Sequence, residues 1–187
     1  MRNASRSFPT MLCALALSAL PATHAVADRT PDAAFDADAL WRGAQAGLDL
    51  TACPSFGETR LSTLDTLAPL SVPLLAGGEV DALDVDASCR GHIAAAPDYR
   101  VYLEHSSTDL QLSFTADEPE AASIMVVNRP DGRWACSPPT TGTSTLQLGA
   151  AATGQYDIWV GTVDPGTWLP GTLRIHSLAD PAMSLPR

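Results

Sequence analysis

Short runs in which apolar and polar residues alternate follow one another over most of the chain. They cover residues 99–104, 110–114, 156–160 and 172–177, while residues 59–64 and 70–75 are short apolar runs. A period of two residues is typical of strands with one buried face. The run Ile124-Met125-Val126-Val127 is apolar throughout, as expected for a central strand with both faces covered. The pattern therefore predicts a β-rich fold.

Glycine and proline separate these runs. Gly77-Gly78 is one such turn signal, and Pro130-Asp131-Gly132 is another, because proline presets φ and glycine tolerates positive φ. No long segment with helical periodicity lies between them. We therefore predict an all-β domain over residues 56–178, with about seven to nine short strands in an antiparallel, jelly-roll-like β-sandwich.

Two segments flank the predicted sandwich. Residues 28–55 contain a possible helix start at Thr30, with Pro31 at the first helical position. The apolar face that would follow is weak (Phe35, Leu40 and Trp41), and Gly43 and Gly47 end the pattern. We expect a short helix or a disordered lead there. Residues 179–187 are expected to form a flexible tail.

Residues 1–27 are typical of an export signal. Arg2 and Arg6 precede a short apolar stretch, and Ala25-Val26-Ala27 is a small-x-small cleavage site. Cleavage after Ala27 would place the protein in the periplasm or outside the cell. No later segment is long and apolar enough to predict a transmembrane helix.

Charge narrows the range of partners. The chain of 187 residues carries a net charge of −10, which becomes −12 when the two signal arginines are removed. An acidic surface repels nucleic acid and anionic membranes, so neither is an expected partner. The chain has no lysine, which excludes a P-loop, a Schiff base and Ser-Lys catalysis.

Three cysteines remain after the predicted cleavage: Cys53, Cys89 and Cys136. Two of them should form a disulfide in an oxidising compartment, and three pairings are open. We favour Cys89 with Cys136, because each directly flanks a predicted strand. Cys53 would then lie outside the disulfide, as a partly buried structural cysteine.

Several short motifs along residues 56–178 carry a resemblance to a known family. They are Leu75-Ala76-Gly77-Gly78, Cys89-Arg90-Gly91, Ala96-Pro97-Asp98-Tyr99, Pro130-Asp131-Gly132-Arg133-Trp134-Ala135-Cys136 and Gly154-Gln155-Tyr156-Asp157-Ile158-Trp159-Val160-Gly161. Their order resembles the pre-peptidase C-terminal-like domains of bacterial secreted proteins, in a cysteine-containing subgroup. The resemblance implies a jelly-roll-like β-sandwich that accompanies exported enzymes or stands alone and is not itself a catalyst.

The resemblance is incomplete at two places that bear on metal binding. Relatives carry an aspartate where Ala121-Ala122-Ser123 stands, and acidic residues where Ser137 follows Cys136. Asp81, Asp84 and Asp86 could offer oxygen ligands to Ca²⁺, but their spacing is not that of an EF-hand. A solvated acidic loop is the alternative that we favour, so we predict no metal and no cofactor.

No local motif predicts catalysis. The chain lacks a Gly-x-Ser-x-Gly elbow, and His92, His105 and His176 form no His-Glu-x-x-His pattern. A triad assembled only in space remains the alternative. We predict a protein that is not an enzyme.

The aromatic residues are the remaining candidates for binding. Trp134 follows a turn, Trp159 lies within a strand, and Trp168 lies in a predicted loop. Exposed rings can stack on sugars or anchor a protein partner, whereas buried rings would close the core. We expect a non-catalytic exported module that is structural or binds an envelope or extracellular protein or polysaccharide. The alternatives are an accessory targeting domain for a secreted hydrolase, or a small periplasmic hydrolase.

Overall fold

The structure contains twelve strands in two sheets, which confirms the all-β sandwich. The computed structural model describes residues 35–62 and 69–179. The strands are β1 (Glu58–Leu61), β2 (Leu70–Gly77), β3 (Val80–Asp81), β4 (His92–Ile93), β5 (Tyr99–Leu103), β6 (Ser107–Ala116), β7 (Ala122–Asn128), β8 (Trp134–Cys136), β9 (Thr140–Thr141), β10 (Thr143–Gln147), β11 (Gly154–Thr162) and β12 (Trp168–Ala179). The predicted signal peptide, the Thr30 helix start and residues 180–187 lie outside the described ranges.

The strands divide into a large sheet of eight and a small sheet of four. In the large sheet β11 lies between β5 and β7, and its last residue, Thr162, pairs with His92 of β4. β3 extends the sheet beyond β4, while β8 and β9 pair with β7. The small sheet has the order β10-β6-β12-β2, and all its pairs are antiparallel.

Three details differ from the prediction. β1 pairs with β5 in parallel, so the sandwich is not purely antiparallel. Several two-residue strands raise the number of strands above nine. β12 includes both Trp168, which was predicted in a loop, and Ala179, which was predicted in the tail. Long cross-strand pairing with β2 holds the start of β12 in the sheet from Trp168 onward.

One core fills the space between the sheets. Tyr156, Ile158 and Val160 of β11 face Leu173 and other apolar residues of the small sheet. The intervening Trp159 points to the opposite side of the large sheet and belongs to a second cluster. Alternation along β11 and β7 thus supplies two apolar layers, which explains the continuously apolar run at 124–127.

The second cluster lies beneath two short helices and the chain that joins α1 to β1. Helix α1 (Ala37–Gln45) begins after Asp36, whose side chain accepts a hydrogen bond from the Ala39 N–H. Helix α2 (Ala82–Val85) follows β3 and was not predicted. The cluster contains Leu48, Ala82, Val85, Cys89, Ile93, Ile124, Val126 and Trp159.

Helix α1 does not use the apolar face that the sequence indicated. Phe35 and Trp41 are exposed, while Ala39 and Gly43 are buried. Gly43 lies within the helix and packs against the ring of Trp134. A Cβ added at this position would lie 2.6 Å from Cζ2 of that ring, so a larger residue would clash with it. Small residues at positions i and i+4 let the helix approach the sheet closely.

Candidate functional site

The outward-facing side chains of the small sheet form an uncovered surface, which we call the open face. Inward residues of β12 such as Leu173 and Ile175 are buried, while the alternate residue Arg174 is exposed. The described part of the chain places no helix on this side of the sandwich. The open face is therefore the broad sheet surface that remains accessible.

Polar side chains form rows across the open face. Thr172, Thr115 and Thr143 are direct cross-strand partners on β12, β6 and β10. The hydroxyls of Thr115 and Thr143 lie 3.2 Å apart and share a hydrogen bond. The backbones that carry these hydroxyls are about 5 Å apart across the sheet.

Two further rows continue this chemistry. Ser113 of β6 lies between Arg174 and Thr145, and Gln111 lies between His176 and Gln147. Gln147 donates a hydrogen bond to Asp109 at the end of the face, with 2.9 Å between Nε2 and Oδ2. The middle of the open face thus presents hydroxyl and amide groups with one guanidinium and one imidazole.

One end of the open face is apolar and carries Trp168. This side chain is 54% exposed, and Leu75 and Pro170, which pair with each other, are exposed beside it. Trp168 is the cross-strand partner of Gly77, which has a φ of 126°. A Cβ at Gly77 would lie 3.4 Å from Cε3 of Trp168 and 2.1 Å from the Thr167 carbonyl oxygen, so glycine permits this close approach.

Trp134 and Trp159 lie on the other side of the sandwich. Their ring centroids are 5.5 Å apart, and Trp159 is fully buried in the second cluster. Trp134 is half-buried, and its Nε1 donates to the Ala39 carbonyl oxygen at 2.9 Å. Packing, which was the alternative to surface binding, describes both residues in this structure.

A buried ion pair joins the N-terminal segment to the large sheet. Arg100 of β5 and Asp157 of β11 are cross-strand partners, with 2.5 Å between Nε and Oδ1. Arg100 also donates to the carbonyl oxygens of Leu50 and Ala52, and Gln155 donates to Asp157. Burial alone would lower the pKa of Arg100, but the hydrogen bond and charge of Asp157 raise it.

Asp98 is a second buried acid near the same segment. It is 2% exposed, and its Oδ2 accepts a hydrogen bond from the Val160 N–H at 2.7 Å. Its carbonyl oxygen accepts from Phe56, and its own N–H donates to Ile158. Burial raises the pKa of Asp98 to about 7, and the hydrogen bond from Val160 offsets only part of this rise.

Two of the three acidic residues considered for Ca²⁺ accept hydrogen bonds from neighbouring residues. Asp81 accepts from the Leu83 N–H at the start of α2, and Asp86 accepts from the backbone and hydroxyl of Ser88. The hydrogen bonds from Ser88 lower the pKa of Asp86. Across residues 35–62 and 69–179, no three His, Cys, Asp or Glu residues converge on a point that could hold a metal ion.

The disulfide joins Cys89 and Cys136, as the sequence favoured. Their Cα atoms are 5.4 Å apart, and the bridge links the loop after α2 to β8. Cys53 was predicted to be partly buried, but it is exposed in the segment that precedes β1. The bridge closes the layer over the second cluster and indicates folding in an oxidising compartment.

The histidines considered for catalysis lie on separate elements. His92 is in β4, where Nδ1 lies 3.0 Å from the Val163 carbonyl oxygen, so this nitrogen donates. His105 follows β5, and His176 lies on the open face.

The described ranges contain no helix long and apolar enough to cross a membrane.

Sequence reasoning missed the open face and the Arg100–Asp157 pair. The open face had a readable signal, namely the Thr, Ser and Gln residues at alternate positions of β6, β10 and β12. The ion pair had none, because Arg100 stands where a half-buried strand places solvent-facing residues. Only the N-terminal segment, which is distant in sequence, buries it.

Comparisons with known proteins yield structural likenesses alone. No protein-family model matches the chain. No curated protein matches it.

Two solved structures are similar to this chain. A pre-peptidase C-terminal domain of collagenase from Bacillus anthracis is 11% identical with a TM-score of 0.39, over 64% of this chain and 93% of that one. CorA, a surface-associated copper-binding protein of Methylomicrobium album BG8, is 7% identical with a TM-score of 0.41, over 67% and 100% respectively. The first belongs to the family that the sequence motifs resemble, but at these identities and scores neither likeness assigns a ligand, a partner or an activity.

Proposed function

We propose that this protein is a non-catalytic β-sandwich module of the periplasm or the extracellular space that binds a partner through its open face. The exposed, uncovered surface of the small sheet carries the proposal. An exposed tryptophan beside rows of hydroxyl groups is a surface suited to binding. The export pattern and the Cys89–Cys136 disulfide support the location.

The use of the polar groups supports a binding role over catalysis. Arg100 and Asp157 neutralise each other and fasten the N-terminal segment. Asp98 is directed at the backbone N–H of Val160, away from solvent. His92, His105 and His176 are distributed over two sheets and a turn, so no two of these histidines share a location.

The alternative is an accessory role beside a secreted hydrolase, targeting it to a polysaccharide or a protein. Trp168 is the specific observation in its favour, because an exposed ring on a flat sheet is suited to contact with an extended polymer. Both roles use the open face. A gene for a secreted hydrolase next to this one would favour the accessory role.

Binding and turnover by the mature protein test the proposal. The wild type should be retained by envelope fractions or extracellular polymers, and Trp168→Ala should reduce retention about tenfold. Trp41→Ala is the matched control, because Trp41 is 65% exposed on helix α1, on the other side of the sandwich. Equal losses in the two variants, or turnover of generic ester, peptide or glycoside substrates, would contradict the proposal.

A further inference from the structure

We infer that the open face binds a neutral polysaccharide, which runs along the strands with one sugar ring stacked on Trp168 and the following rings over the hydroxyl rows. This inference rests on the proposed function and adds the chemical class of the ligand. Three properties of the face carry it: the spacing of its hydroxyl rows, its charge, and the position of its apolar end.

The spacing of the rows fits an extended polyhydroxyl polymer. Thr172, Thr115 and Thr143 lie side by side on three adjacent strands, perpendicular to the strand direction. Hydroxyl groups both donate and accept, so each can pair with sugar hydroxyls in either direction. Successive rows, at Thr172, Arg174 and His176 of β12, are two residues and therefore about 6.6 Å apart, so a chain that runs along the strands meets a new row at regular intervals.

Charge selects against ionic polymers. The protein carries a net charge of −10, so an anionic polysaccharide is repelled as it approaches. A cationic polymer would instead favour the acidic surfaces elsewhere, since the hydroxyl rows contain no carboxylate and one of them contains Arg174. A neutral polymer meets neither penalty.

The position of the apolar end favours a sugar over a protein partner. Protein interfaces have an apolar centre and a polar rim. The open face has the reverse arrangement, with Trp168, Leu75 and Pro170 at one end and hydroxyl groups in the middle. One rigid ring for stacking, followed by hydrogen-bonding rows, suits a polysaccharide.

The test uses amorphous cellulose, chitin and soluble mixed-linkage β-glucan as neutral probes. Polygalacturonate, chitosan and gelatin serve as anionic, cationic and protein probes. We expect the mature protein to be retained by at least one neutral probe. Its retention should change little between low and high salt, because a neutral ligand has no charges to screen.

Two variants divide the contributions of stacking and hydrogen bonding. Trp168→Ala should weaken binding to the neutral probe about tenfold. The double variant Thr143→Val and Thr145→Val keeps the side-chain shape and removes two exposed hydroxyls, so binding should weaken about fivefold. Trp41→Ala should bind like the wild type. An unchanged melting temperature in each variant separates lost binding from misfolding.

The outcomes separate the ligand class from the proposed function. Trp168-dependent retention by gelatin, polygalacturonate or chitosan alone would overturn the neutral polysaccharide and leave the open face as a binding surface. Equal weakening by Trp41→Ala and Trp168→Ala would show that the open face is not the binding surface. Retention by none of the probes or by envelope fractions would overturn both proposals.

Discussion

The outer faces of the two sheets differ in what lies on them. Two helices, the segment between α1 and β1, and the Cys89–Cys136 bridge cover the large sheet. The described chain leaves the small sheet uncovered, with Thr143, Thr145 and Trp168 exposed. The two sheets share one core, so the contrast is confined to their outer sides.

The chemistry of each face follows from its cover. Burial of Ile124, Val126 and Trp159 on the covered face stabilises the fold. Arg100 there is paired with Asp157, because an isolated buried charge is costly. Thr115 and Ser113 on the open face stay hydrated. Changing a residue on the covered face should therefore affect stability, whereas changing one on the open face should affect binding.

The largest expected difference in stability between the two faces is at two arginines, Arg100 and Arg174. Arg100 on the covered face is 7% exposed and paired with Asp157, while Arg174 on the open face is exposed. Arg100→Ala should lower the free energy of unfolding by about 3 to 5 kcal/mol, because it leaves the Asp157 carboxylate buried without its cation. Arg174→Ala should change it by less than about 0.5 kcal/mol. Urea denaturation of both variants measures the difference, and similar values would contradict the assignment of the covered face.

Burial of Asp98 on the large sheet predicts a pH dependence of stability. Its pKa is about 7 in the folded protein, above the usual carboxyl value of 3.8, so the folded state retains the proton more strongly. Stability should therefore be greatest at acidic pH and should fall as pH rises through 7. The loss between pH 5 and pH 8 is about 3 kcal/mol.

Asp98→Asn is the control for this pH dependence. The amide oxygen can still accept from the Val160 N–H, and the group does not titrate, so stability should become nearly flat over the same interval. Asp49 and Asp86, whose pKa values are lowered by hydrogen bonds from Thr51 and Ser88, titrate below this window. An unchanged slope in the Asn variant would assign the pH dependence to another group.

The smallest effect is expected at the exposed tryptophan. Trp168→Ala should change the free energy of unfolding by no more than about 0.5 kcal/mol, because the ring is largely in solvent. Trp134→Ala should cost about 3 kcal/mol, since its ring contacts Trp159 and its Nε1 bonds to Ala39. Thermal unfolding of both variants compares them. A large loss at position 168 would show that Trp168 serves packing and would weaken its proposed role in binding.

Local patterns were sufficient for the strands of the shared core. The alternation at Tyr99, Val101 and Leu103 predicted β5, and the apolar run 124–127 predicted a strand buried on both faces. The disulfide was also predictable, because the export-signal pattern predicted an oxidising compartment and two of the three remaining cysteines flank predicted strands. Helix α2 was missed, since its four residues are too few for a helical period to show.

Contacts between distant residues decided the N-terminal segment and the candidate sites. The aromatic residues of α1 indicated one face, but Gly43 packs on Trp134 and leaves Trp41 exposed. Burial of Arg100 depends on Leu50 and Ala52, and burial of Asp98 depends on β11 and residue 56. None of these neighbours is visible in the local sequence.

The amino-acid sequence was enough to predict an acidic β-sandwich with a favoured Cys89–Cys136 disulfide, because a two-residue period, the net charge and the positions of cysteines are local or compositional properties. The tertiary structure alone decided which outer face is covered. The residues that cover the large sheet are remote from it along the chain. Their packing makes the outward positions of the large sheet a second core, whereas the outward positions of the small sheet remain in contact with water.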